Sequence, residues 1–517
     1  MPATQTLERD STTATPSQTV PPDRATRDVH VAIVGSGFAG LGMAIRLKQE
    51  GVDDFVVLER ADDVGGTWRD NHYPGCQCDV PSHLYSFSFA PNPTWSRTFS
   101  CQPEIQAYLR RCAEQFGVGP HLRFGHGVTA AAWDEEAQLW RLATEGGPFT
   151  ARLLVAAPGP LSEPSIPSIP GLERFEGKVF HSAEWDHDHD LDGERVAVVG
   201  TGASAIQFVP KIQPRVARLH LFQRTPAWIV PHADRPISRL ERRVYRRFPG
   251  AQRLMRAAIY WARETFVLGF LHRRLMRLPA RVARRHLRTQ VPDPELRAKL
   301  TPDYEIGCKR ILVSNDFYPA VTQPNVELVP RGAKEVRARS IVDAAGVERE
   351  VDTIIFGTGF QVTRMPIAEH LRGRGGRLLA EAWRDGMQAH LGTMVAGFPN
   401  LFIVPGPNTG LGHTSMVFMI ESQIAYVLDC MRVMEARGAG AVEVRPEVQT
   451  AYNDEVQDRS RGTVWLSGCA SWYLDPSGRN STLWPGFTFT FRHKTSRFDP
   501  AHVELRAAVP APLPAGA

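Results

Sequence analysis

What this chain lacks narrows its class first. No apolar run is long enough to span a bilayer. The opening stretch from Met1 to Asp28 is rich in Thr, Ser and Pro with mixed charge and has no apolar core of the secretory kind, so it reads as a disordered leader. The formal net charge of +5 is small for 517 residues, and no nucleic-acid partner follows from it. Seven cysteines is an odd number, without a zinc-type pair of C-x-x-C motifs, and Cys76 and Cys78 stand a single residue apart. The thiols therefore point to a reducing cytoplasm, with neither a disulfide nor a metal. What is left is a globular composition, 43% hydrophobic and 22% charged, with length for two or three domains. The Pro- and Ala-rich tail from Val509 should be irregular.

What the chain has is glycine placed between strand and helix patterns. Val29 to Val34 is a strand-type run, Gly35-Ser-Gly37-Phe38-Ala39-Gly40 follows directly, and Leu41 to Glu50 carries apolar residues at helical spacing. Gly35 makes the tight turn, Gly37 lets the backbone approach a pyrophosphate, and Gly40 lets the helix pack on the strand. The pyrophosphate would sit on the helix N-terminus, where free N–H groups face an anion. The next strand, Phe55 to Leu58, ends in Glu59. A carboxylate there accepts from a ribose 2′-OH and repels a 2′-phosphate, which points to FAD or NAD.

A second copy of the pattern differs at the position that matters. Arg195 to Val199 leads into Gly200-Thr201-Gly202-Ala203-Ser204-Ala205 and then Ile206-Gln207, with Ala205 in place of the third glycine. The following strand, Leu219 to Phe222, ends in Gln223-Arg224-Thr225, with no acid. Attraction between Arg224 and a 2′-phosphate favours NADPH. Two such sites, the acidic one first, describe a flavoprotein with FAD in the first and NADP in the second, reduced by NADPH.

From about His232 to Thr301 arginines recur among Leu, Val, Tyr and Met, and Leu268, Leu271, Leu275 and Leu278 have helical spacing. This reads as an all-α insertion with a basic solvated face, no membrane being expected. A basic amphipathic helix can also touch anionic membrane surfaces, which leaves weak peripheral contact as the variant reading.

Further motifs carry a resemblance. Phe175-x-Gly177-x-x-x-His181-x-x-x-Trp185-Asp186 lies between the two glycine turns. Gly65-Gly-Thr67-Trp68 precedes Tyr-Pro-Gly-Cys-Gln77-Cys78-Asp79, and Gly307-Cys-Lys309-Arg310 opens a strand-like stretch from Tyr304 to Val313. Val155-Ala-Ala-Pro158-Gly and Thr353-Ile-Ile-Phe-Gly357-Thr-Gly-Phe are the crossing segments. From about Val29 to Asp499, the insertion excepted, this resembles the flavin-dependent Baeyer–Villiger monooxygenases, with Pro158 and Gly357 replacing the usual Thr and Ala.

The resemblance implies an α/β protein with two Rossmann-like dinucleotide-binding domains and an all-α insertion in the NADP domain. The FAD-binding domain would span 29–165 and 351–517, the NADP-binding domain 166–350. Thr67, Trp68, Tyr85, the position of Val128 near a strand end, and Met416, ahead of a helix beginning near Glu421, would contact FAD. Gln77, Cys78 and Asp79 would lie where flavin and nicotinamide meet. Gln207, Thr225 and Lys309 would bind NADP, and Trp472 would fold over it on a C-terminal loop. Arg310, a permanent cation oriented by Asp79, would stabilise the anionic peroxyflavin and then the oxyanion. His181 and Trp185 would have a conformational role. The reaction implied is NADPH- and O2-dependent insertion of oxygen beside a ketone carbonyl, giving an ester or lactone, in a cytoplasmic monomer or homodimer. N- or S-oxygenation is the nearest alternative, although the Trp185-Asp186 ending argues against it. A disulfide reductase needs a redox cysteine pair that is not spaced here, and a flavin-bound scaffold would consume no oxygen.

Overall fold

The computed structural model describes residues 27–509. The leader lies outside the described residues except for Arg27 and Asp28, which already belong to the first strand, and the tail beyond Val509 lies outside them too. The first sheet takes β1 (Arg27–Val34), β2 (Phe55–Leu58), β3 (Leu122–Arg123), β4 (Val128–Asp134), β5 (Leu139–Thr144) and β6 (Phe149–Ala156). The chain then builds β7 (Lys178–His181), β8 (Arg195–Val199), β9 (Arg218–Phe222), β10 (Val326–Val329) and β11 (Thr353–Phe356). It returns to the first sheet with β12 (Leu371–Arg372) and β13 (Leu401–Ile403). Strand order is β12-β4-β5-β6-β1-β2-β3 in the first sheet, with β13 also on β6, and β10-β9-β8-β11-β7 in the second.

The second sheet is wholly parallel, as are the pairings of β1 with β2 and β6. Parallel strands are covered on both faces, which is why Val31 to Val34 and Val196 to Val199 run apolar without alternation. Helix α1 (Phe38–Gln49) follows β1, and α2 (Ala205–Ile212) follows β8.

The two glycine turns repeat one close approach. Gly35 has φ +97° and Gly200 φ +111°, and a Cβ on either would strike a crossing-segment carbonyl, that of Ala157 or Gly357. The crossing segments also join each other, Ser165 N–H donating to Gly359 C=O over 2.8 Å. The two departures in the second half compensate. A Cβ on Gly357 would come 3.2 Å from the methyl of Ala205, so losing one side chain makes room for the other.

The insertion is helical from Arg239 rather than His232: α3 (Arg239–Arg247), α4 (Pro249–Glu264), α5 (Val267–Leu271), α6 (Arg277–Gln290) and α7 (Pro294–Lys299). Ser238 and Glu241 form a reciprocal cap at the start of α3. The four leucines at helical spacing do not form one buried stripe. The backbone turns away from helix at His272, and Leu268, Leu275 and Leu278 are exposed. The buried positions there are Met276, Ala280, Ala283 and Leu287, an equally good helical series.

Two other boundaries move. Tyr304 to Val313 is strand only at Leu312–Val313, because Gly307 (φ +94°) and a buried Cys308 hold the rest in an irregular turn. Helix α8 (Met416–Ala436), packed against α1, begins five residues before Glu421, where the Ser415 side chain accepts from Val417 N–H.

Candidate active site

At the first turn Glu59 is buried and accepts from the N–H and hydroxyl of Ser36 at 2.9 and 2.6 Å and from Ala61 N–H at 3.0 Å. Arg69 stands 3.0 Å away. Burial opposes its ionisation, but Arg69 and Ser36 outweigh it and hold the carboxyl below the usual range. The acid is thus an anion at the end of β2, as a ribose site requires. Gly65 and Gly66, both at positive φ, lead into the short helix Thr67–Asp70, and Trp68 Nε1 donates to the Tyr85 hydroxyl over 3.0 Å. Tyr85 packs edge-on against Phe38. Val128 opens β4 instead of closing a strand, and its side chain is half-buried; Met416 is half-buried at the first position of α8.

At the second turn Gln207, on α2, reaches back to the flavin side. Its carbonyl accepts from Gln77 N–H at 3.2 Å and from the Tyr73 hydroxyl at 3.0 Å, and its amide donates to Gln77 C=O at 2.9 Å. The segment Gln77–Asp79 is therefore tied to the helix that starts the second site. Arg224 is exposed beside the half-buried Thr225. Burial and the charge of Arg224 both lower the pKa of Lys309, whose ammonium lies 5.0 Å from the Tyr304 ring. Among the described residues neither cation forms an ion pair, although the charge of Asp303 acts on Lys309, and the two positive charges lie close enough to repel each other.

Arg310 Nε donates to Asp79 Oδ2 over 3.0 Å, and Nη2 donates to the same oxygen. The two side chains retain 32% and 28% exposure, so the pair stays within reach of solvent. Arg310 overrides the burial that would protonate Asp79 and keeps its carboxyl below the usual range; Asp79 in turn raises the guanidinium. Sequence reasoning missed two neighbours. Arg263, from α4, lies close enough for its charge to act on Asp79 and Arg310, and the buried Tyr473 feels both, its hydroxyl pushed up to about 12 chiefly by burial. Nothing local marks either residue; Arg263 is one arginine of many in the insertion.

One cysteine expectation is corrected here. Cys308 is disulfide-bonded to Cys469, 161 residues away, leaving Cys76, Cys78, Cys101, Cys112 and Cys430 as thiols. An odd total does not forbid a pair, and so long a separation leaves no spacing signal. The bond ties the turn bearing Lys309 and Arg310 to the C-terminal loop bearing Trp472, which is 41% exposed and rests on Tyr473 at 4.4 Å.

The signature residues lie on and beside β7. Trp185 packs between Phe180 and Phe208, and Lys178 pairs with Asp186 at 2.5 Å. Phe175 is half-buried, and a Cβ on Gly177 would strike the carbonyl of Asp352. His181 is fully buried against Phe360 of the crossing segment, its Nδ1 accepting from Ala183 N–H at 3.1 Å, and burial lowers its pKa to about 4. Its Nε2 has no hydrogen-bond partner among the described residues.

Both turns fit the dinucleotides they imply, since each keeps its backbone open where a Cβ would close it and each ends in the charge appropriate to its ribose. A family model described as pyridine nucleotide-disulphide oxidoreductase matches residues 32–260, a stretch that excludes Cys308 and Cys469. A protein of Streptomyces coelicolor named Baeyer-Villiger monooxygenase is 56% identical over 492 residues, covering 95% of this chain and 94% of its own. A closed crystal structure of cyclohexanone monooxygenase superposes with a TM-score of 0.84 at 28% identity, covering 94% of this chain and 100% of the other. A structure of OTEMO in complex with FAD and NADP gives a TM-score of 0.81 at 26% identity, covering 92% of this chain and 99% of the other. Two nucleotide turns of opposite charge, the Asp79–Arg310 pair between them and this relationship over nearly the whole chain lead to one conclusion: the chain belongs to the Baeyer–Villiger monooxygenases, flavoproteins that use FAD and NADPH.

Proposed function

We propose that this enzyme inserts one atom of O2 beside the carbonyl of a small ketone, giving an ester or lactone, and that Arg310 carries the chemistry. The observation behind this is the partly exposed Arg310–Asp79 pair, with Asp79 on the segment that Gln207 ties to the second nucleotide turn. Bound FAD, reduced by NADPH, supplies the activated oxygen. The chain's own residues bind and polarise. Gly35 to Gly40 and Glu59 hold the FAD pyrophosphate and ribose, with Thr67, Trp68, Tyr85, Val128 and Met416 around its remaining parts. Gly200 to Ala205 and Gln207 hold NADP, Arg224, Thr225 and Lys309 its 2′-phosphate, and Gln77, Cys78 and Trp472 border the nicotinamide end.

Arg310 stabilises negative charge as it develops on the ketone oxygen, and a guanidinium does this without giving up a proton. Asp79 fixes its orientation, and Arg263 adds a second cation on the same side. Tyr473 stays a neutral donor throughout the physiological range. His181 and Trp185, packed where the chain crosses between sheets, couple movement of one half (166–350) to the other (29–165 and 351–517). Dependence on NADPH, a coenzyme kept inside the cell, supports a cytoplasmic enzyme, which acts as a monomer or homodimer. The test is a ketone panel with NADPH and O2, read by mass for products one oxygen heavier. Arg310→Ala should keep NADPH oxidation while ester output disappears, and undiminished ester would remove Arg310 from this role.

A further inference from the structure

Helix α4 (Pro249–Glu264) is built inside out. Its inward face mixes Ala251 and Tyr260, the latter stacked on Phe418, with polar groups: Gln252 donates to Asn92 C=O over 2.7 Å, and Arg256 donates to the carbonyls of His83, Leu84 and Ser86 at 2.8 to 3.2 Å. Glu264, at the end of the helix, accepts from the Thr488 hydroxyl over 2.9 Å, and the half-buried Arg263 holds its guanidinium 5.8 Å from the Phe99 ring. The opposite face, at positions 254, 258, 261 and 265, is Leu, Ala, Trp and Thr. Leu254 is 73% and Trp261 58% exposed, and the patch continues to Phe248 at one end and, 5.9 Å from Trp261, to Phe489 at the other. Protruding aromatic and leucine side chains on one face mark a contact with something apolar.

The border of this patch identifies the occupant. Arg239, Arg243, Arg246, Arg247 and Arg253 are exposed beside it, and none has a carboxylate partner among the described residues. Arg247 lies 5.5 Å from the Phe248 ring, its stem along apolar surface and its charge free. Between residues 238 and 301 there are 17 Lys and Arg against 4 Asp and Glu, while the whole chain carries only +5. A second copy docked by the same face would set this positive field against itself. An anionic lipid surface meets both demands, accepting Leu254 and Trp261 at the acyl boundary and the arginines among the headgroups.

We propose that the α3–α4 face docks the enzyme reversibly on an anionic phospholipid bilayer. The experiment is co-sedimentation of the FAD-loaded full chain with vesicles of phosphatidylcholine alone and of phosphatidylcholine with phosphatidylglycerol, at low and high salt. Each arginine near such a surface contributes about fivefold to partitioning. Pelleting is therefore expected with the anionic vesicles only, weakening with salt. Leu254→Ser/Trp261→Ser and Arg243→Glu/Arg247→Glu should each reduce it by about tenfold or more, with flavin content and turnover of a soluble ketone unchanged. Three results overturn the proposal: no pelleting of the parent enzyme at low salt, pelleting of both variants equal to that of the parent, or light scattering that shows a dimer which Leu254→Ser/Trp261→Ser converts to monomer.

Discussion

Replacing Asp79 by Asn keeps the shape of the side chain and deletes its charge. In the native enzyme this one carboxylate faces two guanidinium groups, Arg310 in direct hydrogen bonding and Arg263 nearby. At about 4 Å and an effective dielectric constant of about 20, one such attraction is worth about 4 kcal/mol. With roughly a third of each side chain in contact with solvent, screening reduces this to about 2–3 kcal/mol. If the whole of it orients Arg310 in the transition state, ester formation slows by a factor of about 30 to 150. NADPH oxidation, which does not need an oriented Arg310, should fall much less, so ester formed per NADPH consumed drops. The assay pairs absorbance loss at the nicotinamide band with product quantified by mass. A double-mutant cycle with Arg310→Ala, read as urea unfolding free energy because that variant forms no ester, isolates the coupling of the pair, expected at about 2 kcal/mol or more. A coupling within about 0.5 kcal/mol of zero refutes the argument, since two groups acting as a unit must show one.

Arg224→Ala and Lys309→Ala should each lower the NADPH-to-NADH preference by about tenfold, the worth of one charge-assisted hydrogen bond, and an unchanged ratio would move the phosphate site elsewhere. Cys308→Ser frees the C-terminal loop from the Arg310 turn, so the KM for NADPH should rise and thermal inactivation quicken, as it should in the parent enzyme treated with a dithiol; a parent insensitive to the dithiol and matching the variant would show that the bond restrains nothing. Burial depresses His83 and His181 to about 4 and His390 to about 3, against 6.5 when unfolded. Above 6.5 they are neutral in both states and cost nothing. As pH falls from 6.5 toward 4 the unfolded chain takes up protons that the native one refuses, and each histidine removes up to about 1.4 kcal/mol of stability per pH unit. Unfolding midpoints in urea at pH 7.5, 6 and 5 should therefore decline, and a midpoint that rises on acidification contradicts the burial of these rings.

Much of the site was legible because nucleotide binding is written in short, contiguous patterns. A glycine turn, its flanking strand and the charge at the next strand end sit within about thirty residues, and Gly35 to Glu59 and Gly200 to Arg224 both fold as their spacing implies. What lay hidden depends on chain brought together from afar. The charge of Arg263 acts on Asp79 from α4, that of Arg310 on Tyr473 of a C-terminal loop, and Cys308 meets Cys469 from 161 residues away. The compensation between Ala205 and Gly357 was visible as two departures, but only their 3.2 Å approach joins them. The turn around Arg310 read as strand because Ile306, Ile311, Leu312 and Val313 suit one, whereas the need to aim Arg310 at Asp79 bends it.

The insertion shows a deeper limit of periodicity. Helical spacing reveals that two stripes exist, one apolar and one polar, and is silent on which turns inward. On α4 the choice is made by the segment it covers. The carbonyls of His83, Leu84 and Ser86 converge on one spot, and Arg256 supplies donors to all three. Rotating the helix to bury Leu254 and Trp261 would strand those carbonyls and draw Arg263 away from Asp79, at about 1–3 kcal/mol for each buried acceptor left unmade. Burying the two apolar side chains would return about 1.5–3 kcal/mol apiece. The two totals are of similar size, so hydrophobicity alone cannot turn the helix over. Glu264, accepting from the Thr488 hydroxyl on the inward side, adds to the polar side of the balance, and the apolar stripe is left facing out, with its border of arginines, toward whatever surface will cover it.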